Sequence, residues 1–284
     1  MKVLILGATG MLGNAVLRVL SEERTLDVRG TIRADSSRRL FSAELANQLI
    51  SGVDVEDADS LVSVLCKVEP DVVINCVGVV KQLAQADDPL QALPINALLP
   101  HRLAKLCSLG RARLVQISTD CVFDGAKGGY LESDKSDATD LYGKSKFLGE
   151  VDYPNAVTLR TSIIGHELGN PHSLVDWFLA QHGTCRGFSN AIFSGLPTVE
   201  LARVIRDFVL PAPSLRGLYH VAAAPINKFE LLTLVKEVYQ KEIEITLDGS
   251  LKIDRSLDAS RFNEATGYKP PAWPELIRLM HKYK

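Results

Sequence analysis

Val3-Leu-Ile-Leu-Gly-Ala-Thr-Gly-Met-Leu-Gly13, continuing into Asn14-Ala-Val-Leu-Arg-Val-Leu20, places an apolar run, a glycine-punctuated turn and a helical stripe in direct succession. Val3–Leu6 reads as a buried strand, and Leu12, Val16, Val19 and Leu20 share one face of a helix expected over Met11–Glu23. Strand, glycine turn and helix in that order form the context a dinucleotide fingerprint requires. Gly7 permits the tight turn, Gly10 lets the backbone approach a pyrophosphate, and Gly13 lets the helix pack close to the sheet. The free N–H groups of the helix start then face the phosphates. The spacing is G-x-x-G-x-x-G rather than G-x-G-x-x-G, and the glycines alone also fit a βα turn that binds nothing.

A second motif decides between those readings. In Asp140-Leu-Tyr-Gly-Lys-Ser-Lys146 the phenol of Tyr142 and the ammonium of Lys146 stand four residues apart, hence on one helix face. A cation favours phenolate over phenol, so Lys146 is expected to lower the pKa of Tyr142 and make it a usable acid at neutral pH. Such a pair alone also describes a half-buried Tyr beside a solvated Lys. Paired with a glycine turn at the far end of the same domain, it points to a nicotinamide-dependent site.

The totals narrow the classes. The 284 residues suffice for one large α/β domain, or a large and a small one. A formal net charge of −2 offers no basic footprint for nucleic acid, and no apolar run is long enough to span a bilayer. The N-terminus enters a strand directly, without a charged-then-apolar signal segment. Cysteines 66, 76, 107, 121 and 185 are scattered and odd in number, which favours reduced thiols in a cytoplasm over a disulfide framework or a zinc site.

Short apolar runs alternate with helical patterns through residue 160, the signature of a parallel sheet covered on both faces. The expected strands are Val3–Leu6, Val28–Ile32, Asp71–Asn75, Leu114–Ile117 and Val157–Arg160; the expected helices are Met11–Glu23, Asp57–Val68, Pro94–Leu109 and Asp140–Val151. Pro94 suits a first helical turn, and Asp137, Thr139 and Asp140 offer capping oxygens to the Tyr142 helix. Beyond Arg160 the sequence suggests a helix over Leu174–Gln181, another from Pro197-Thr198 to Leu210 and a strand over Gly217–Val221. A helix over Lys228–Gln240, a strand over Ile243–Leu247 and a helix after Pro274 follow.

These motifs, with Asn75-Cys-Val-Gly78, Ser118-Thr-Asp-Cys-Val-Phe-Asp-Gly125, Arg160-Thr-Ser162, Gly217-Leu-Tyr-His220 and Arg255-Ser-Leu-Asp258, resemble the extended short-chain dehydrogenases/reductases along nearly the whole chain. Within that family they look like the dTDP-4-dehydrorhamnose reductase group of nucleotide-sugar 4-ketoreductases. The resemblance implies a Rossmann-type doubly wound parallel sheet over residues 1–160, with some later elements returning to it. A smaller α/β region, mainly substrate-binding, occupies residues 161–284. It also implies a homodimer and work on cell-envelope polysaccharide precursors.

By the same resemblance the cofactor contacts are Gly7, Thr9, Gly10, Met11, Leu12 and Gly13 of the turn, then Asp54 and Val55 at the adenine. Cys76, Val77 and Gly78 follow the next strand, with Gly78 allowing close backbone approach, and Tyr142 and Lys146 meet the nicotinamide end. Asn96 either helps hold Lys146 or caps a helix start. The ribose 2′ position lies at the end of the second strand, where an acidic residue binds a free hydroxyl and repels a phosphate. Here Arg33 stands there, with Ser36, Ser37, Arg38 and Arg39 in reach, so NADP(H) is favoured over NADH. Asp35 competes if the register shifts by two, and Arg38 or Arg39 also reads as the start of a solvated helix.

Thr119 takes the place of the superfamily's catalytic Ser, orienting a carbonyl that Tyr142 protonates while Lys146 binds the ribose and holds down the Tyr142 pKa. Lys81, Thr119, Asp120, Tyr142, Ser162 and Trp177 are the implied substrate contacts. Phe178, Phe188 and Phe193 are further aromatic candidates, and His166 is a candidate for the sugar pocket wall. Asp120 and Asp124 make a poor metal cage without other oxygen ligands. Three departures from the reductase pattern fall on the substrate side. Cys121 stands where the group usually has Tyr, and Ile163-Ile-Gly165 where it usually has an aromatic. Gly78-Val-Val-Lys-Gln-Leu83 replaces an Ala-rich run. An epimerase or dehydratase, or a non-catalytic NADP-binding regulatory subunit, are the alternatives. Asp120-Cys121 after Thr119, where dehydratases carry Asp-Glu, speaks against the first, and retention of Thr119, Tyr142 and Lys146 against the second.

Overall fold

The computed structural model describes residues 1–79, 84–169 and 173–284. Strands β1 (Lys2–Leu6), β2 (Asp27–Thr31), β3 (Leu49–Ile50), β4 (Val72–Asn75), β5 (Arg113–Thr119) and β6 (Ala156–Thr161) form one sheet with the later strand Gly217–His220. From one edge the order is Gly217–His220, β6, β5, β4, β1, β2, β3, and every pairing is parallel. The chain thus winds outward in both directions from β1 and β4, and the crevice beyond the carboxyl ends of these two strands is where such sheets take ligands.

The strict alternation of β1 builds two cores at once. Val3 and Ile5 join a layer with Val16, Leu17 and Leu20 of α1 (Met11–Ser21) and with Leu276, Ile277 and Met280 of the last helix, Trp273–Lys282. Leu4 and Leu6 face the opposite layer, with Leu61 and Val64 of helix Ala58–Val68 and Leu99 and Leu103 of helix Leu99–Leu109. Each buried Leu, Ile or Val contributes about 1.5–3 kcal/mol, and this double coverage holds the strand ends in register.

Two local expectations are corrected. The helix expected to begin at Pro94 begins earlier, with Pro89 in its first turn and Asp88 as a side-chain cap accepting from the Leu90 amide at 2.9 Å. Pro94 falls inside and has no N–H to give, and the chain adopts a π-helical stretch over Leu93–Leu98 before resuming α geometry. The Tyr142 helix covers Leu141–Leu148; Asp140 caps it by accepting from the Gly143 amide at 2.7 Å. Residues after Arg160 add the helices Leu174–Ala180, Thr198–Val204 and Lys228–Val238 and a small sheet in which Ala191–Phe193 lies between Ile226–Asn227 and Ile253–Asp254. The edge strand Gly217–His220 returns to the main sheet beside β6. Among the described residues no helix is long and apolar enough to cross a membrane.

Candidate active site

The glycine turn has the conformation its sequence requires. Gly7 has φ +83°, a left-handed value that favours glycine, and its amide donates to Thr31 Oγ1 at 3.2 Å while the Ala8 amide donates to the Thr31 carbonyl at 2.9 Å. A Cβ on Gly13 would run into the Gly7 carbonyl oxygen, so only glycine allows α1 to start this close to β1. Gly10 is the N-cap and has no side chain to cap the helix, so the first-turn N–H groups are left for a ligand.

At the switch point lies a cavity of about 370 Å³. Gly7, Thr9 and Gly10 form one wall and Cys76, Val77 and Gly78 another, with Val53 and Val55 at one end. Arg33, Ala34 and Ser37 line it beside the end of β2. Asn75 turns the chain after β4: its Nδ2 donates to Gln116 Oε1 at 2.8 Å, and its Oδ1 accepts from the Val77 amide at 3.1 Å. A glycine-walled cleft beside an uncapped helix start fits a dinucleotide.

The charged side chains after β2 separate by the partners they find. Arg38 donates to Asp35 at 2.7 Å, to the Ala46 carbonyl at 2.5 Å and to the Leu49 carbonyl at 2.8 Å, so it is a structural brace for the turn. Asp35 is engaged by that guanidinium, which holds its carboxyl below the usual range, and it does not line the cavity. The Arg33 guanidinium makes no hydrogen bond among the described residues, and the residue lines the cavity. Of the other expected cofactor residues, Asp54 turns its carboxylate to the Glu56 amide at 3.0 Å. Leu12 is buried in the core, and Met11 lines a second cavity with Asn14 and His166. Asn96, in the π-helical stretch, accepts from the Val79 amide at 3.0 Å and donates to Ser145 Oγ at 3.2 Å. It therefore ties the loop after Gly78 to the Tyr142 helix, serving the active-site end rather than capping a helix.

Thr119, Tyr142 and Lys146 come together at the carboxyl end of β5. Thr119 accepts from the Cys121 amide at 3.1 Å, donates to Asp120 Oδ1 at 3.1 Å and lies against the Tyr142 phenol. Its hydroxyl therefore caps a turn and also meets the phenol. Lys146 is buried, and its Nζ donates to the Ile117 carbonyl at 2.8 Å. A Cβ on Gly78 would stand 3.8 Å from that Nζ, so Gly78 is both cavity wall and neighbour of the lysine. The glycine-walled cleft thus adjoins the Thr119–Tyr142–Lys146 cluster through Gly78.

The lowering of Tyr142 expected from Lys146 does not occur: burial outweighs every other influence on the phenol, and the lysine charge is not among them. Burial pushes the Tyr142 phenol well above its usual value, with the charges of Cys121, Asp120 and Asp140 adding to the rise; only the Thr119 contact pulls it down. The lysine spends its ammonium on the Ile117 carbonyl and is itself pulled down to about 8 by burial, against the opposing charges of Glu150 and Cys76. At neutral pH Tyr142 therefore holds its proton.

Behind the lysine stands a buried ionic network that the sequence did not single out. Glu150 accepts from Arg160 Nε at 2.8 Å and Nη2 at 2.6 Å, and from Ser118 Oγ at 2.7 Å. Arg160 Nη1 lies 2.9 Å from His220 Nε2, whose ring turns Nδ1 toward the Tyr130 carbonyl at 3.0 Å. Glu150 follows Lys146 by four residues, a spacing that could have flagged it.

On the substrate side, Asp120 is buried and raised by that burial, opposed by Arg255 and by contacts with Thr119, Cys121 and Ser162. Trp177 stands 42% exposed, while Phe178 and Phe193 belong to the core. His166 is held between Asp176 at 2.6 Å and Tyr239 at 2.7 Å, beside the second cavity rather than the Thr119 cluster. Lys81 lies outside the described residues.

The sequence model of the RmlD substrate binding domain family matches residues 1–280. Three relatives give the scale of likeness. The probable low-salt glycan biosynthesis reductase Agl14 of Haloferax volcanii is 31% identical over 60% of this chain and 56% of its own length. Methionine adenosyltransferase 2 subunit beta of Danio rerio is 28% identical over 84% of this chain and 74% of its own. The dTDP-4-dehydrorhamnose reductase of Aggregatibacter actinomycetemcomitans is 24% identical over 99% of both. Among solved structures, the dTDP-4-dehydrorhamnose reductase of Bacillus anthracis in complex with NADP superposes with a TM-score of 0.80 at 22% identity, covering 100% of this chain and 99% of that one. The dTDP-glucose 4,6-dehydratase of the same organism, in complex with NAD, reaches 0.78 at 15% identity, covering 100% and 96%. Both share the fold.

Proposed function

The chain belongs to the RmlD substrate binding domain family, and from that premise we propose that it is an NADPH-dependent reductase of the 4-keto group of a nucleotide-linked 4-keto-6-deoxy sugar. The observation that carries the reading is that Thr119 meets the Tyr142 phenol while Lys146, one helical turn on, stands beside the cleft wall at Gly78. The names of the curated reductases support the reaction class. Arg33 free in the cleft, with Asp35 turned to Arg38, supports NADPH over NADH. The region after residue 160 supplies the substrate side, and the setting is cytoplasmic synthesis of cell-envelope sugar precursors.

When bound, the nicotinamide supplies a hydride to the ketone carbon. The residues do the rest. Thr119 orients the carbonyl by donating to its oxygen, exchanging its present Asp120 contact for the substrate. Tyr142, protonated at neutral pH, gives its proton to that oxygen as negative charge develops. Lys146, held between Ile117 and the cleft wall at Gly78, would bind the nicotinamide ribose hydroxyls. The burial that raises the free phenol thus preserves the acid until the reaction needs it.

The test is NADPH oxidation with a panel of dTDP-, UDP- and GDP-4-keto-6-deoxy sugars, alongside Tyr142→Phe. Turnover with one sugar should fall by ~10²–10⁴-fold in the variant while NADPH binding is retained. Near-normal turnover in Tyr142→Phe would remove the phenol from the mechanism. No oxidation with any sugar, despite tight NADPH binding, would sink the reductase reading for these nucleotides.

A further inference from the structure

The second cavity, of about 270 Å³, has no role in the chemistry above. It runs along the face of α1 that carries Met11, Asn14, Ala15 and Arg18, whose spacing is that of one helical stripe. Helix Thr198–Val204 and the end of helix Trp273–Lys282 form further walls, and His166 and Glu167 close it from above. A Cβ on Gly165 would stand 2.5 Å from Thr198 Oγ1 and 3.5 Å from Met11 Sδ, so these walls meet at a corner that glycine keeps open. The polar groups of the cavity fall into two sets. Its two carboxylates are engaged by their own surroundings: Asp176 accepts from His166 at 2.6 Å, from the Glu167 amide at 2.9 Å and from Ser173 Oγ at 3.0 Å, and Glu167 accepts from the Ser173 amide at 3.2 Å. The second set is unspent. Asn14 is 8% exposed and Thr198 6%, yet neither side chain has a hydrogen-bond partner among the described residues. Arg18 is half-buried and has no carboxylate partner among them. Its Nη1 donates to the Tyr283 carbonyl at 2.8 Å and its guanidinium lies over the Tyr283 ring, 5.6 Å from the centre, which leaves Nε and Nη2 over.

Buried polar groups nearly always find partners, because losing water without a replacement is costly. Two that lack one, on the wall of a cavity and beside a guanidinium already fixed in place, describe a site completed by a ligand. We propose that this cavity binds a small hydroxylated oxyanion, a sugar phosphate or sugar acid, with its anionic group at Arg18 and its hydroxyls at Asn14 and Thr198. The charge follows from the residues, since both acids are spent on the protein and the arginine is not. The hydroxyls follow as well: Asn14 and Thr198 each offer a donor and an acceptor, the combination that a hydroxyl answers. Met11, Val199 and Met280 supply an apolar wall for the carbon skeleton. The space is smaller than the glycine-walled cleft of about 370 Å³, which suits one sugar unit rather than a dinucleotide. None of the three polar residues lines that cleft, so the site stands or falls apart from the reductase reading.

The experiment is calorimetric titration of the NADP⁺-saturated protein, so that the glycine turn is already filled, with glucose 1-phosphate, glucuronate, inorganic phosphate and, as the neutral control, glucose. The proteins are wild type, Asn14→Leu, Arg18→Met, Arg18→Lys and Thr119→Val, the last a lesion of the reacting site. Wild type should bind glucose 1-phosphate or glucuronate, whichever names the anion, and bind glucose about tenfold or more weakly. Asn14→Leu and Arg18→Met should each weaken the anion about ten- to a hundredfold, Arg18→Lys less, and Thr119→Val not at all. Unchanged NADP⁺ affinity in the variants certifies the fold. Affinity lost in Thr119→Val but kept in Asn14→Leu and Arg18→Met would place the ligand at the reacting site and overturn the proposal. So would binding of none of the four probes, and so would inorganic phosphate binding as tightly as glucose 1-phosphate, which would leave Asn14 and Thr198 without a hydroxyl to meet. Scanning calorimetry without ligand separates a binding group from a structural one. Asn14→Leu, close in shape and free of the unpaired amide, should unfold at the same temperature as wild type or higher. A lower midpoint would make Asn14 a brace of the fold and overturn its assignment.

Discussion

Replacing Glu150 by Gln tests whether the buried network behind Lys146 holds the fold and the lysine charge together. The carboxylate receives three charge-assisted hydrogen bonds, two from Arg160 at 2.8 and 2.6 Å and one from Ser118 at 2.7 Å. The Arg160 side chain is 1% exposed and that of Glu150 9%, so water cannot take over. Gln keeps the shape but loses the charge, and it turns one acceptor into a donor facing the donor-only guanidinium. Uncompensating one side of a buried pair costs about 3–5 kcal/mol. At about 2–4 °C per kcal/mol for a large domain, the midpoint of thermal unfolding should fall by roughly 6–20 °C. There is a second consequence at the active site. Glu150 opposes the burial that pulls Lys146 down to about 8, so without its charge the lysine should lose its proton at still lower pH. Scanning calorimetry reads the first effect, and the alkaline limb of kcat/KM for NADPH reads the second. The double variant Glu150→Leu/Arg160→Met, which removes both charges, should recover much of the lost stability. A Glu150→Gln protein with a midpoint within about 2 °C of wild type would refute the energetic argument. An unmoved alkaline limb would refute the coupling to Lys146.

Other expectations follow from the same distances and charges. Arg33→Ala should weaken NADPH binding about ten- to a hundredfold and leave NADH binding nearly unchanged, by fluorescence titration; equal loss for both cofactors would move the 2′-phosphate contact elsewhere. In the wild type, kcat/KM for NADPH should fall above pH about 8, where Lys146 becomes neutral, and a profile flat to pH ~10 would exclude its charge from the mechanism. His220 is lowered to about 4 by burial first and by Arg160 second, so the fold selects its neutral form. Its contribution is complete above its unfolded value of 6.5 and is lost as pH falls toward about 4. At about 1.4 kcal/mol per pKa unit this amounts to roughly 3 kcal/mol. Denaturant unfolding at neutral and acidic pH should therefore show a steeper acid loss for wild type than for His220→Gln, and parallel losses would contradict it.

The fold was legible because its evidence is local. The continuous apolar run Val3–Leu6 and the glycines at 7, 10 and 13 announce a covered parallel sheet before any partner strand is known. Pro94 shows where local rules mislead: a proline marks a helix start only if nothing upstream has already begun one, and Asp88-Pro89 had. The pairing of Gly217–His220 with β6 is a different kind of information, since a strand can be read from its own residues but its neighbour cannot.

The site divides along the same line. The members carried by one helix or one turn, Thr119, Tyr142 and Lys146, were singled out from spacing and resemblance, and the fold gathers them at the end of β5. What spacing could not give was the direction of the Lys146 ammonium. Four residues put it on the Tyr142 face, but the Ile117 carbonyl on β5 captures it, and burial then raises the phenol that the cation was expected to lower. Electrostatics in this site is therefore set by which partner reaches a charge first, a property of the packed molecule rather than of the motif. The same reasoning separates Arg33 from Arg38, which look equivalent in sequence. Arg38 finds two backbone carbonyls and Asp35 and becomes scaffold, whereas Arg33, with no such partners, remains available to a ligand. A cation left without a side-chain partner by the fold is the stronger functional signal, and by that criterion Arg33 rather than Arg38 is the residue to test.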